Sequence, residues 1–339
     1  MINVLFIKTS SLGDVVHALP AIEELVQHEP NIGIDWVVEE NLAELVGLHP
    51  KVRKVIPVAL RRWRKTPFAA DVRREYRSFQ EQITRIPYEI IVDAQGLLKS
   101  VWLMRGLAGL RAGLDWNSVR EPLASLFYNQ KYAVAKELHA VERNRQLLGQ
   151  IFGYEPKGMA YVQLTLGGDA LHQHALWLLH GTTWPTKHWP ESYWRQLMEL
   201  LQQANISALV PSGSVEERAR AERLCCGLPL MHVLPPLSLK QLAESLATAR
   251  LVVGVDSGLG HLAAVMGRPV FGLYGATDPI RTGMIGQGVV NRHAGLACSP
   301  CRKKTCVLSP KGMVEQPWPP CMAALRPEMV FEWIKEQSQ

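Results

Sequence analysis

Short apolar runs alternate with stretches of helical spacing along this chain, and the alternation begins at its first residues. Residues 2–7 (INVLFI) are continuously apolar, whereas the apolar positions after Asp14 recur every three or four residues. A continuous apolar run is typical of a strand buried on both faces, and the second spacing is typical of a helix with one buried face. The pattern therefore predicts a strand, a polar loop over residues 8–14, and a helix.

The same two patterns predict strands and helices through both halves of the chain. In the first half, strands are expected at 34–38, 52–58 and 88–92, with helices over 73–86 and 140–152. In the second half, strands are expected at 175–179, 206–210, 231–234, 251–255 and 270–274, with helices over 193–204, 216–224 and 239–249. Strands that alternate with helices form parallel sheets through right-handed crossovers. The chain is therefore predicted to be an α/β protein.

The length of 339 residues suggests two domains, each large enough for its own core. Residues 153–168 contain glycines and lack clear periodicity, so they are the candidate linker. Four predicted strands of the second half end in small polar loops, as do the strands at 2–7 and 88–92. Such loops form a ligand site at the carboxyl edge of a sheet. We therefore expect two doubly wound domains that face each other across a cleft.

The composition is that of a globular protein, with 47% hydrophobic residues. No apolar run approaches the roughly 18 residues that a membrane-spanning helix needs. The first residues lack the basic segment and the small-residue cleavage site of a secretory signal. We therefore expect a cytoplasmic protein, in which the six cysteines do not form a disulfide framework.

The formal net charge is +6 at pH 7, and much of it lies where Arg61, Arg62, Arg64 and Lys65 surround Trp63. A basic balance admits nucleic acid, acidic lipid headgroups or phosphorylated substrates as partners. A solvated surface is the simpler interpretation of a basic run.

The loop of residues 8–14 has one glycine, so it is not the dinucleotide-binding fingerprint, which needs three. It does hold a single carboxylate, Asp14, where a ligand of the sheet would lie. Asp14 or Ser11 could cap the following helix, because side-chain oxygens bond the unpaired N–H groups of a helix start. Capping and catalysis both remain open for Asp14 from the residues alone.

Three segments of the second half carry groups that bind phosphate. Gly181-Thr182-Thr183 with Lys187 offers hydroxyls, backbone N–H groups and an ammonium, although it is not a Walker motif. In the segment 256–261, a helix start would direct N–H groups at an anion, and His261 could donate to a phosphate. The alternative is a capped helix with a core histidine. Glu216 or Glu217 could accept hydrogen bonds from ribose hydroxyls. Either could instead be a first-turn carboxylate that the helix dipole stabilises.

No D-x-D pair follows a predicted strand, so a magnesium-dependent sugar-nucleotide site has no obvious ligands. The cysteines form a separate pattern. Cys298, Cys301, Cys306 and Cys321 resemble a Cys₄ zinc loop with an irregular second pair. Metal-free thiols are the alternative.

Four segments together resemble the lipopolysaccharide heptosyltransferases, glycosyltransferase family 9. They are residues 8–14, 93–100, 182–190 and 256–261. The segments 61–65 and 120–129 resemble heptosyltransferase I in particular, whereas the cysteine segment is more similar to heptosyltransferase II.

The resemblance implies a GT-B fold with two Rossmann-like domains and an inverting reaction that requires no metal or other cofactor. Heptose would pass from ADP-L-glycero-β-D-manno-heptose to a Kdo residue of Kdo₂-lipid A, in inner-core lipopolysaccharide synthesis of Gram-negative bacteria. We assign residues 1–160 to an acceptor-binding domain and 161–325 to a donor-binding domain. Residues 326–339 are expected to form a helix that packs back on the N-terminal domain.

The resemblance also implies roles for individual residues. Asp14 would be the general base. The donor would contact Ser10, Leu12, Thr182, Thr183, Lys187, Glu216 or Glu217, Leu237, Asp256, Ser257, Gly258 and His261. The acceptor's phosphates and carboxylates would contact Arg61, Arg62, Arg64, Lys65 and Lys99. The basic loop with Trp63 and Phe68 would suit the anionic cytoplasmic face of the inner membrane.

Three alternatives remain at this point. A heptosyltransferase II-type enzyme would add the second heptose instead of the first. A different sugar-nucleotide enzyme of the two-domain fold, such as an epimerase, would need an acid–base pair and no lipid acceptor. A nucleic-acid-binding protein would use the basic loop and a zinc module, and it would bind with a steep salt dependence. We expect no nucleic-acid partner.

Overall fold

A computed structural model describes residues 1–167, 173–308 and 318–337 of the chain. Its strands are β1 (Ile2–Ile7), β2 (Ile32–Glu39), β3 (Val52–Val58), β4 (Ile90–Asp93), β5 (Leu110–Leu114), β6 (Gln130–Tyr132), β7 (Leu176–Leu179), β8 (Ala208–Val210), β9 (Met231–Val233), β10 (Leu251–Val255), β11 (Val270–Tyr274) and β12 (Val289–His293). Its α-helices are α1 (Leu12–Val16), α2 (Leu19–His28), α3 (Ala43–Val46), α4 (Leu60–Trp63), α5 (Ala70–Thr84), α6 (Leu98–Leu103), α7 (Ala140–Phe152), α8 (Glu191–Gln203), α9 (Val215–Cys225), α10 (Leu239–Ala247), α11 (Gly258–Val265), α12 (Pro279–Thr282), α13 (Pro320–Ala323) and α14 (Pro327–Glu336). Short 3₁₀ segments cover Glu40–Leu42, Pro122–Phe127 and Pro185–Lys187.

The chain forms two compact units, Met1–Thr165 and Leu166–Gln339. Their boundary falls inside the predicted linker, whose last residue, Gly168, lies outside the described residues. The domain boundary predicted after residue 160 falls slightly earlier in the same segment.

In the first unit, six parallel strands form one sheet in the order β3-β2-β1-β4-β5-β6. β1 is central because it pairs with both β2 and β4, so that Val4 lies opposite Ile34 on one side and Ile90 on the other. The strand order therefore reverses between β1 and β4. In doubly wound sheets, a ligand binds outside the carboxyl ends of the strands at such a reversal.

The second unit repeats this arrangement with the order β12-β11-β10-β7-β8-β9. Here β7 pairs in parallel with β8 on one side and with β10 on the other. Numbered from β7, the strand order is the same as in the first unit, and the reversal lies between β7 and β10. These two sheets confirm the predicted α/β class and its doubly wound, Rossmann-like topology.

The C-terminal helix α14 lies in the second unit and contributes to its core; that it also packs on the first unit stays a prediction. Val330, Trp333 and Ile334 of α14 are buried in a core cluster that also includes residues of α8 and β7. These three positions lie on one face of α14, and α14 packs against α8. Phe271 of β11 packs against the Trp333 ring, with 5.3 Å between ring centroids.

Three strands lie outside the predicted set, for physical reasons that differ. β6 (QKY) and β12 (VVNRH) are sheet edges and partly exposed, so neither is a continuous apolar run. β5 (LRAGL) is interrupted by Arg111, whose side chain bonds Asn129 beside the strand. By contrast, the buried strands β10 and β11 have the predicted bounds, and so does β3, an edge strand that is partly exposed.

Candidate active site

The polar loops predicted as ligand contacts follow the two central strands of each sheet. In the first unit they are residues 8–14 after β1 and 93–99 after β4. In the second unit they are residues 180–187 after β7 and 256–261 after β10. Each pair of loops thus lies at the reversal of strand order, where doubly wound sheets bind their ligands.

Asp14 does cap its helix, and it does so with one carboxylate oxygen. Its Oδ2 accepts the backbone N–H of Ser11 at 2.8 Å and the Ser11 hydroxyl at 3.0 Å. Its other oxygen, Oδ1, has no hydrogen-bond partner in the described part of the chain. Asp14 is half-buried. The carboxylate is therefore held in place while one oxygen stays available to accept a proton.

Gln95, from the loop after β4, holds the backbone that leads into Asp14. Its Oε1 accepts the N–H of Thr9 at 2.8 Å, the N–H of Ser10 at 3.1 Å and the Thr9 hydroxyl at 3.2 Å. Gln95 and Thr9 are buried, so these bonds are shielded from water. The loop of Asp14 is thereby tied to the neighbouring strand end.

Asp93 anchors the second of these loops. It accepts the N–H groups of Gln95 and Gly96 and the hydroxyls of Ser100 and Tyr128, all at 2.7–3.1 Å. Burial raises the pKa of Asp93, although these four bonds oppose the shift. The Tyr128 ring reaches Asp93 by crossing Gly113, where an added Cβ would approach the ring to 2.5 Å.

Two lysines lie close to Asp14. Burial lowers the pKa of Lys8, whose ammonium donates to the carbonyl of Ala94 at 2.7 Å. Burial also lowers the pKa of Lys99, which donates to the Ser10 hydroxyl at 3.0 Å. In each case the negative charge of Asp14 partly opposes the shift. Asp14 therefore has two lysines among its charged neighbours.

The basic run lies on and after α4, and its members differ in their pairing. Arg62 is bound by two carboxylates, Glu40 at 3.1 Å and Glu75 at 2.8 Å. The exposed side chains of Arg61, Arg64 and Lys65 have no carboxylate within 4.0 Å among the described residues.

Trp63 is buried, which corrects the expectation that it lies with Phe68 on a membrane-facing loop. Its side chain is only 6% exposed, and its indole N–H donates to Glu75 at 2.6 Å. Phe68 is 86% exposed.

In the second unit, Lys187, Asp256 and His261 form one buried cluster. The Lys187 ammonium lies 2.7 Å from Oδ2 of Asp256, and His261 Nε2 lies 3.0 Å from Oδ1. Both Lys187 and Asp256 come from loops at the reversal of strand order. His261 is buried and bonded to Asp256, so Lys187 is the more accessible basic side chain of the cluster, and a donor contact of His261 stays a prediction.

This cluster keeps Asp256 ionised. Burial alone would raise the pKa of Asp256, but the hydrogen bonds and positive charges of His261 and Lys187 outweigh it. The pKa of Asp256 therefore lies well below its ordinary value. Lys187 also lies over the Trp184 ring at 4.8 Å from the centroid, which restricts its long side chain further.

The remaining predicted donor contacts lie around this cluster. Thr182 donates its hydroxyl to the carbonyl of Asp256 at 3.2 Å, whereas Thr183 is exposed. Ser257 is the N-cap of α11, and Gly258 is its first residue. Leu237 lies in the loop before α10 and packs against the core of the second unit.

Of the two candidate glutamates, Glu217 approaches the loop after β7. It accepts the N–H of Gly213 at 2.7 Å, and its Oε1 would be 2.6 Å from a Cβ built on Gly181. Glu216 is exposed on the first turn of α9, where its carboxylate faces solvent. Glycine at 181 is thus required for this close approach of a carboxylate to the loop.

The sequence predicted no individual role for several side chains of these loops. The most direct are Lys8 and Gln95 in the first unit and His188 in the second, which lies 2.8 Å from the Arg220 guanidinium. His188 follows Lys187 directly, so its position in a polar loop was a usable signal. Lys8 and Gln95 also lie in predicted polar loops, but their bonding partners are about 86 residues away in sequence and could not be predicted from it.

Cys298, Cys301, Cys306 and Cys321 are free thiols, of which Cys321 is buried. Burial raises the pKa of the Cys321 thiol, and the other three sulfurs raise it further, so the four belong to one region. Across the described ranges, no three His, Cys, Asp or Glu side chains are arranged to hold a metal ion.

Comparison with known proteins adds an independent finding. The chain matches the family model described as glycosyltransferase family 9 (heptosyltransferase) over residues 76–311. It is 45% identical over 339 residues to lipopolysaccharide heptosyltransferase 1 of Pseudomonas aeruginosa, covering 97% of this chain and 96% of the relative. E. coli heptosyltransferase WaaC with ADP has a TM-score of 0.85 at 40% identity, covering 99% of this chain and 100% of that chain. WaaC with ADP-2-deoxy-2-fluoro heptose has a TM-score of 0.83 at 39% identity, covering 99% of each chain.

Proposed function

Because this chain belongs to glycosyltransferase family 9, the heptosyltransferases, we propose that it adds the first heptose of the lipopolysaccharide inner core. Its two Rossmann-like units are those of the GT-B fold. The donor is ADP-heptose and the acceptor is a Kdo residue of Kdo₂-lipid A. The first heptose is favoured over the second because the relative at 45% identity is a heptosyltransferase 1.

The observation that carries this proposal is the carboxylate of Asp14, with Oδ2 fixed by Ser11 and Oδ1 without a partner in the described residues. An acceptor hydroxyl attacks the anomeric carbon of the heptose and forms the new C–O bond. The bond from that carbon to the phosphate oxygen breaks, and ADP leaves with the electron pair. Asp14 takes the hydroxyl proton as general base. Attack opposite to the leaving group inverts the anomeric centre.

The leaving ADP acquires negative charge, and the second unit supplies groups that stabilise it. Lys187 is a cation that Asp256 and Trp184 hold in one position. The N-terminal N–H groups of α11 add a positive dipole end beside Asp256. Preorganised donors of this kind stabilise charge that develops during the reaction. The reaction as proposed requires no metal ion.

The acceptor carries phosphates and carboxylates, which suit the cations of the first unit. Arg61, Arg64, Lys65 and Lys99 are exposed and carry no carboxylate partner within 4.0 Å in the described ranges. Arg62, although predicted with them, already shares its charge with Glu40 and Glu75. We therefore assign it a smaller share of acceptor binding.

The lipid portion of the acceptor places the reaction at a membrane surface, at the cytoplasmic face of the inner membrane. No helix in the described residues combines the length and apolarity needed to cross a bilayer. A peripheral contact with anionic lipids is the form of association that this proposal requires.

A structural zinc site at Cys298, Cys301, Cys306 and Cys321 stays a prediction. Four thiolates are a ligand set that zinc prefers. Elemental analysis of protein purified without chelators should find about one zinc per chain, and Cys298→Ser should lower that content. Metal-free protein with an unchanged melting temperature would contradict the prediction.

The reaction itself is tested by incubating the purified protein with ADP-heptose and Kdo₂-lipid A and measuring product mass. A product heavier by one heptose supports the proposal. Activity only on an acceptor that already carries one heptose would identify a second-heptose enzyme. Conversion of the sugar nucleotide without any acceptor would identify an enzyme of the epimerase class.

A further inference from the structure

The first unit exposes a set of large apolar side chains that the proposed chemistry does not use. Leu98 and Trp102 of α6 are 43% and 41% exposed, and Leu123, Leu126 and Phe127 of the 3₁₀ segment Pro122–Phe127 are 54%, 61% and 48% exposed. We name these five side chains the apolar ridge. The two elements contact each other, so the ridge is one surface.

The exposure of the ridge follows from the geometry of its elements. Leu98 and Trp102 are four residues apart and share a helix face, while Ser100 and Leu103 turn toward the interior. Leu123 and Leu126 are three residues apart, so they lie on the same side of a 3₁₀ helix, while Ala124 and Ser125 are buried. The N–H of Leu98 donates to Glu121 at 2.7 Å and joins the two elements.

Packed aromatic rings connect the ridge to the helix that carries the basic run. Trp102 stacks on Tyr76 with 4.0 Å between centroids and 14° between planes. The Trp102 ring also packs edge-to-face on the buried ring of Trp63, with 6.5 Å between centroids, and Trp63 follows Arg61 and Arg62 on α4. Rigid aromatic rings with a polar edge suit the boundary between water and hydrocarbon.

Positive charge borders the ridge. Lys99 lies on α6 between Leu98 and Ser100, where the carboxylate of Glu39 and the guanidinium groups of Arg61 and Arg120 are its main charged neighbours. Arg105 follows the same helix. The nearby carboxylates have partners of their own, since Glu121 accepts from Leu98 and Glu75 from Arg62 and Trp63. Lys99, Arg105 and Arg120 are exposed and are the cations that a lipid phosphate could reach at this border.

We propose that the apolar ridge is the membrane-contacting surface of this protein, which inserts its side chains among the acyl chains of an anionic bilayer while the bordering cations bind lipid phosphates. Exposed apolar side chains bordered by Arg and Lys match the interface of an anionic membrane. There the apolar side chains are buried among acyl chains and the cations bind lipid phosphates, and both interactions are favourable. The proposal rests on the proposed function for its lipid acceptor, but the binding requires neither donor nor catalysis.

The test is cosedimentation of the full chain with vesicles of phosphatidylcholine containing phosphatidylglycerol, compared with phosphatidylcholine alone and without any substrate. Leu123→Ser with Leu126→Ser should weaken binding to the anionic vesicles by about tenfold or more, because two apolar side chains that would be buried among acyl chains are removed. The matched control is Met159→Ser with Ile280→Ser, which removes two exposed apolar side chains from other surfaces. The control should bind as the unchanged chain does.

A second measurement covers the case in which the ridge variant does not fold. Brominated acyl chains should quench part of the fluorescence of the unchanged chain, and that part should be smaller in Trp102→Phe. Equal binding by the ridge variant and the unchanged chain would overturn the proposal. Loss of a dimer in the ridge variant without any change in vesicle binding would also overturn it, because the ridge would then be a protein interface. A failure of the proposed function would instead abolish product formation and leave vesicle binding intact.

Discussion

Asp14 caps a helix with one oxygen, and we propose that it accepts a proton with the other, so two substitutions can separate these functions. Asp14→Asn keeps an oxygen for the Ser11 donors but removes the base, so the rate should fall about 10²–10⁴-fold with little change in stability. Asp14→Ala removes both functions and should also lower the free energy of unfolding by about 1 kcal/mol.

The measurements for Asp14 are the rate on Kdo₂-lipid A, the affinity for ADP and the melting temperature. ADP affinity should be unchanged in both variants. An active Asn variant would leave Asp14 with the cap alone and would require another base.

Lys187 is predicted to hold the pyrophosphate of the donor. Lys187→Met removes an ammonium and leaves the charge of Asp256 facing the phosphates, so ADP should bind about 10–100-fold more weakly. Titration calorimetry with ADP measures this directly. The matched control is Lys304→Met, because Lys304 lies over the same Trp184 ring at 5.5 Å. A similar loss in both variants would point to general positive charge instead of a specific contact.

At the scale of elements, hydrogen bonds to Gln95 hold the loops after β1 and β4 together. Gln95→Leu removes the acceptor for Thr9 and Ser10, and each buried donor left unpaired costs about 1–3 kcal/mol. The free energy of unfolding should fall, and kcat should fall with it because Asp14 is no longer held. ADP affinity should stay unchanged.

Gln95→Glu distinguishes positioning from mere stability, since it retains a carboxyl oxygen for the same donors. It should recover a large part of kcat and alter the pH profile of the rate, because a new negative charge lies near Asp14. If Gln95→Leu lowered stability with full kcat, Gln95 would be structural only.

The elements that the sequence predicted best are those buried on both faces. β10 and β11 are continuous apolar runs, so their bounds follow from the pattern alone. β6 and β12 lie at sheet edges, where partial exposure removes that signal. The polar loops were also predictable, because each follows a buried strand.

The partnerships within the candidate site were beyond sequence reasoning. Lys187 and Asp256 come from separate loops, and only the adjacency of β7 and β10 brings them to 2.7 Å. Pairing between distant residues requires the three-dimensional topology.

At the scale of the whole molecule, each unit contains a buried histidine that resists protonation. Burial lowers the pKa of His49 in the first unit to about 4, and burial followed by the charge of Arg220 lowers that of His180 in the second to about 4. The ordinary pKa of histidine is 6.5, so between pH 6.5 and about 4 the unfolded chain binds more protons than the folded one. The free energy of unfolding should therefore fall as the pH is lowered through this window.

Denaturant unfolding at several pH values measures this effect. Between pH 6.5 and 4, His49→Gln should reduce the slope of the unfolding free energy against pH by an amount equal to about one bound proton. His232→Gln, at an exposed position, should leave that slope unchanged. Equal slopes for both variants would show that other groups cause the acid sensitivity.

The separation of strands between the two sheets has a consequence for how the protein can be divided. Residues up to Tyr132 supply every strand of the first sheet, and residues from Leu176 onward supply every strand of the second. No described strand crosses from one sheet to the other, so a break in the segment 153–165 would interrupt no sheet hydrogen bond. We therefore expect each half, made as a separate polypeptide, to form a complete sheet, and recovery of heptose transfer on mixing would report their association.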